Sequence, residues 1–257
     1  MIRFLFKKSF YDFWDNLLRL AMVNLGFLLL AALPFLLSRL VGRSVLSSVF
    51  LLVLGVTMLC VYMAAVSLLV RCISDYGSFG LFDLKDALRQ AWPAGLMLAA
   101  IVVVLTLVAT MALPFYMAMG SFVGVFAGSM VFWILIALLL ALQFYLPVRA
   151  RIDKDPIKIL KKCLIVSVDN PGLTLVSGLI NTAVLVLSLF AAFLLPGPAA
   201  MLLLVDEALR LVMLKYEYLE AHPGANRRKI PWDDLLADDR ERTGTRSLRT
   251  IVFPWKD

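Results

Sequence analysis

The residues with the most chemistry to offer lie in one apolar stretch, "AAMLLLVDEALRLVMLKYEYL", from Ala199 to Leu219. Asp206 and Glu207 sit less than halfway along it, and Arg210 follows at helical spacings of four and three. A charge at that depth in lipid costs typically ~2.5–3.5 kcal/mol, so such residues face a bundle interior and pair. The simplest pair is Asp206 with Arg210, one helical turn on. So arranged, the three groups form a substrate or proton site, or a neutralised structural cluster, or belong to a helix shifted until its charges reach water. Two amides, Asn24 and Asn181, also fall inside apolar runs; interhelical hydrogen bonds worth about 1 kcal/mol are the expected use of such groups. Gln143, near the end of the fourth run, is expected to snorkel toward water.

Other chemistry is missing. The only histidine, His222, has no partner at metal-ligand spacing, and the scattered Cys60, Cys72 and Cys163 form no C-x-x-C pair. There is no Gly-rich Lys-Ser/Thr phosphate loop, no H-E-x-x-H and no nucleophile elbow. No catalytic residue, cofactor or metal is therefore expected.

The elements that must position these groups follow from composition. Hydrophobic residues make up 62% of the chain and charged ones 17%, with a mean hydropathy of +0.90; soluble domains are nearer half and a quarter. The excess is gathered into runs near the ~20 residues that cross a bilayer as a helix. Spans are expected at about 17–38, 45–70, 93–118, 122–147, 173–195 and 199–219. The first run is too long, and too acidic ahead of it at Asp12 and Asp15, for a removable signal peptide.

Basic residues set the orientation. Arg3, Lys7 and Lys8 precede the first span; Arg71, Lys85 and Arg89 follow the second. Arg149, Arg151, Lys154, Lys158, Lys161 and Lys162 follow the fourth, and the tail from Arg227 to Lys256 adds more. The opposite side has only Arg39 and Arg43. Positive loops stay inside, so both termini are expected in the cytoplasm. The net charge of +7 is then a matter of topology and of attraction to anionic lipid, not of nucleic acid.

"AALPFLL" (31–37), "MALPFYM" (111–117) and "LLPGPAA" (194–200) recur at the outer ends of the odd spans, where proline is expected to stop the helix. Amphipathic stretches precede the same spans. In the first, Phe6, Phe10, Phe13 and Leu17 oppose Lys8, Asp12, Asp15 and Arg19; in the second, Leu81, Leu84, Leu88 and Trp92 share a face. The third begins with Asp155-Pro156 as cap and first residue and ends at Asn170-Pro171-Gly172. The expected fold is thus an all-α polytopic bundle of six transmembrane helices. It forms three parallel two-span units, each preceded by a cytoplasmic interfacial helix.

Two stretches, "NLGFLLLAALPF" (Asn24–Phe35) and "LKKCLIVSVDNPGLTLV" (Leu160–Val176), resemble the YesL-like family of bacterial integral membrane proteins. The resemblance implies an association with carbohydrate uptake systems and supplies no catalytic residues.

Residues 222–257 read as a separate cytoplasmic tail after a 1–221 membrane domain. Its blocks "IPWDDLL" and "IVFPWKD" carry Trp232, Phe253 and Trp255, aromatics that a disordered tail would avoid. They are expected to dock on the protein's own interfacial helices or on a partner. Together these features point to a non-catalytic protein of the bacterial cytoplasmic membrane, accessory to a transport or signalling complex. Its partners would be membrane lipids and a membrane protein such as a carbohydrate transporter. The alternative is a stand-alone transporter working through Asp206, Glu207 and Arg210.

Overall fold

In this computed structural model residues 1–41, 44–80, 82–227 and 230–244 are described, and among them all regular structure is helical. Five stretches are long and apolar enough to cross a membrane: Leu17–Arg39, Val45–Ser74, Asp83–Ala118, Phe122–Arg151 and Pro171–Phe190. Their flanks are studded with exposed Leu29, Phe35, Phe50, Phe122, Trp133 and Phe190. Apolar residues on the outside and charges within are compatible with a multi-pass membrane protein.

The N-terminal helix α1 (Ile2–Asp15) breaks at Asn16, whose amide donates to the Asp12 carbonyl at 3.0 Å, and α2 (Leu17–Val41) follows at once. The helix expected here forms, but part of its polar face is turned inward. Lys8 is buried, while Phe6, Phe10 and Trp14 are exposed. The reason is Glu207, which accepts from the Lys8 ammonium at 3.4 Å.

Helix α3 (Val45–Ser74) is capped by the Ser44 hydroxyl, which accepts from the Ser47 amide, and it packs against α2 and α4 (Asp83–Leu107). The second amphipathic stretch is not a separate interfacial helix. It is the first part of α4, which runs on through Pro93, and its buried edge is Ala87, Ala91 and Ala94, with Trp92 outside. Small residues let the two backbones approach, which outweighs the larger leucine face that the pattern favoured.

Two of the three prolines do not end their helices. Pro34 lies within α2 and seats against Gly55 of α3, where an added Cβ would come within 2.4 Å of the Pro34 Cγ. Pro114 follows a π-helical segment, Val108–Ala112, and opens α5 (Leu113–Ala118). The wider π turn relieves the clash between a proline ring and the preceding turn. Only the third phrase is a true turn, so the three units are not copies in local structure.

Helix α6 (Phe122–Leu142), capped by Ser121, leads into α7 (Tyr145–Arg151). Then α8 (Pro156–Asp169) starts as the sequence predicts, with the Asp155 carboxylate accepting from the Ile157 amide, and breaks at Asn170 before α9 (Pro171–Phe190). After a six-residue turn comes α10 (Gly197–Ala221), expected as the sixth span. It is not among the five apolar stretches, because Asp206, Glu207 and Arg210 interrupt it. Two short helices, α11 (Trp232–Leu235) and α12 (Ala237–Thr243), complete the described chain.

Asn24 clasps the α9–α10 turn. Its Nδ2 donates to the carbonyls of Leu194 and Pro196, both at 2.9 Å, and its Oδ1 accepts from the Ala199 amide at 3.0 Å. Gly197 is needed beside it: its φ is +67°, and a Cβ would fall 2.2 Å from the Asn24 Nδ2.

Candidate functional site

Asp206 and Glu207 are both buried, and they lie among the ends of other helices. Their partners come from α1, the last turn of α3 and the end of α7. Arg151 forks onto Asp206, its Nε donating to Oδ1 at 2.9 Å and its Nη2 to Oδ2 at 2.5 Å. The same guanidinium donates to the Ser74 hydroxyl at 3.0 Å and to Asp75 Oδ1 at 2.9 Å. Glu207 receives the Ser9 hydroxyl and, at 3.4 Å, the Lys8 ammonium. Lys8 also donates to Asp12 and to the Ser74 carbonyl at 3.0 Å, so all three of its donors are engaged. Burial pushes the Lys8 ammonium down, but the carboxylates of Glu207 and Asp12 outweigh it and hold its pKa above the ordinary value.

The expected Asp206–Arg210 pair is not formed. Arg210 turns instead to Asp239 of α12, 2.9 Å from its Nη2, and lies 3.7 Å from Asp75. The physical reason is reach: Asp206 faces α7, which offers a bidentate guanidinium, whereas Arg210 faces the tail.

Tyr76 sits at the edge of this cluster in the left-handed region, φ +61°. It occupies the position after the α3 cap that normally takes glycine: its amide bonds to the Ile73 carbonyl and that of Gly77 to Cys72. That geometry costs a non-glycine residue about 1 kcal/mol. The compensation is on the ring, where Lys8, Arg210 and Arg242 lie 4.4, 5.5 and 5.3 Å from its centroid. Its hydroxyl donates to Asp239 at 3.0 Å.

The remaining polar residues divide. Asn24 makes the interhelical bonds expected of it. Asn181 does not: its Oδ1 is buried without a hydrogen-bond partner among the described residues, and so is the Gln143 Oε1. Gln143 does not snorkel but donates to the Thr174 carbonyl at 2.9 Å. Trp232 packs against the core beside the fully buried Leu236, so the first tail block docks on the protein's own body. Phe253 and Trp255 lie outside the described residues.

Lys8, Ser9, Arg151 and Arg210 donate within the cluster, to its acids and to Ser74, and so tie α1, α3, α7, α10 and α12 together. Among the described residues no group of histidine, cysteine and acidic side chains could hold a metal ion. Comparison with protein-family models, curated proteins and solved structures finds no match for this chain.

The sequence reading missed Lys8, Ser9, Tyr76, Arg151 and Asp239. Lys8 left one trace, an acid four residues on at Asp12. Arg151 left none, since a base at the end of an apolar run is what the orientation rule expects anyway.

Proposed function

We propose that this chain is a non-catalytic protein of the bacterial cytoplasmic membrane, accessory to a transport complex, such as one for carbohydrate uptake, or to a signalling complex. The observation that carries the reading is the complete internal pairing of Asp206, Glu207 and Arg210. A transporter needs ionisable groups free to exchange partners with a solute or proton. Here each is committed to α1, α7 or α12, which leaves surfaces, not a pathway, as the working parts.

The same contacts support six passes with both termini inside. Lys7 of α1 donates to the Gly244 carbonyl at 2.9 Å, and this closeness of the first and last described helices favours an even number of crossings. Five apolar stretches alone would be odd. Helix α10 supplies the return, and its charges are tolerated because neighbouring helix ends neutralise them. The resemblance to YesL-like proteins favours the carbohydrate setting.

The test is reconstitution. Purified protein in liposomes is expected to move no sugar or ion by itself, and to co-purify in fixed ratio with a transport subunit from its own membrane. Transport by the protein alone that Asp206→Asn abolishes would establish the stand-alone transporter instead.

A further inference from the structure

The exposed face of α1 has a chemistry that the ionic cluster does not use. Ile2, Phe6, Phe10, Trp14 and, past the break, Leu18 form an i, i+4 row, and all are exposed. Phe10 and Trp14 stack with centroids 6.3 Å apart, which stiffens the row. Such a row beside a bundle belongs in the interfacial layer of a bilayer, with the indole at headgroup level.

Along one edge of this row, on the next turn of the helix surface, run Arg3 and Lys7. They line a cavity of about 790 Å3 with Phe4, Arg240, Glu241 and Thr243, between the start of α1 and α12. With Arg240 paired to Asp233, Arg3 and Lys7 against Glu241 leave the cavity positive. Arg3 is exposed and makes no ion pair among the described residues. Lys7 spends one donor on the Gly244 carbonyl and keeps two, and Arg240 shares its Nη2 with Asp233 at 2.7 Å.

We propose that this cavity seats the phosphate of an anionic phospholipid from the leaflet that α1 faces. The inference rests on the membrane reading above and adds a defined site to it. Its acyl chains would follow the Phe6–Phe10–Trp14 row, while Arg3 and Lys7 hold the phosphate oxygens through charge-assisted hydrogen bonds. The lipid would thereby join α1 to α12, sealing the seam where the chain's first described helix meets its last.

The probe is short-chain phosphatidylglycerol titrated into the full chain in mild detergent, against phosphatidylcholine of the same chain length and against free glycerol phosphate. Saturable binding of phosphatidylglycerol alone is expected. Arg3→Gln should weaken it about tenfold, the loss of one charged hydrogen bond. Arg19→Gln removes an equal charge from an exposed site away from the cavity and should leave the affinity unchanged. Both positions are exposed, so folding is retained and is checked by elution and circular dichroism.

Equal binding of the two lipids, an equal effect of the two substitutions, or competition by free glycerol phosphate as strong as by the lipid would each overturn the seat. Failure of the membrane reading looks different: the protein would leave its membranes in alkaline carbonate.

Discussion

Removing Arg151 would leave Asp206, whose side chain is 2% exposed, without the guanidinium that it is paired with. Breaking one side of a buried pair costs about 3–5 kcal/mol, whereas replacing both partners by apolar residues is near neutral. Arg151→Met is therefore expected to lower the thermal midpoint in detergent sharply, and Arg151→Met/Asp206→Leu to recover most of the loss. Lys8 adds a pH dependence of opposite sense to the usual carboxylate case. Its folded pKa is raised above 10.5, so its contribution is complete below that value and vanishes as pH climbs through the raised one. Docking of α1, followed by Trp14 fluorescence, should hold through pH 10 and loosen only beyond. Burial in α8 pushes the Cys163 thiol up to about 12. Maleimide at neutral pH should label the exposed Cys72 and leave Cys163 untouched until the protein unfolds.

Helices here meet by close approach, and the α2–α3 pair shows it. Pro34 fills the space that Gly55 leaves, so Gly55→Val forces the two apart and should cost about 1–3 kcal/mol, measured by thermal unfolding in detergent. The tail is held differently, by Leu236 in the core and by Asp239 between Arg210 and Tyr76. Asp239→Asn keeps the shape and removes the charge. It should expose the α10–α11 connection to protease while the bundle stays intact. Helix α1 is the element whose role differs most from its pattern. Its periodicity announced an amphipathic helix, but a pattern has no inside or outside, and Glu207 of α10 drew Lys8 inward while Asp15 stayed exposed.

Across the whole molecule, α1, the end of α3, α7, the middle of α10 and α12 converge on one ionic cluster. On the six-span reading proposed above, the chain returns to this cluster's face after every second apolar run. Single cysteines introduced at Lys158 and Asp238 should accordingly react with an impermeant maleimide from the same side of sealed vesicles, and from the side opposite to one at Ser44. What could be read from residue order is the helical class, the apolar runs, the bias of basic residues, the cap at Asp155 and the polar use of Asn24. These are properties of a residue and its near neighbours, and lipid enforces them wherever the rest of the chain lies. Pairing was beyond that reach. Asp206 had an obvious partner in Arg210 one turn away and took Arg151, 55 positions earlier, because a fork from α7 satisfies both carboxylate oxygens. Proline's effect at positions 34 and 114 was likewise settled by the glycine and the π turn beside each. Contacts between distant segments have no period to betray them, so folding alone brings them to light.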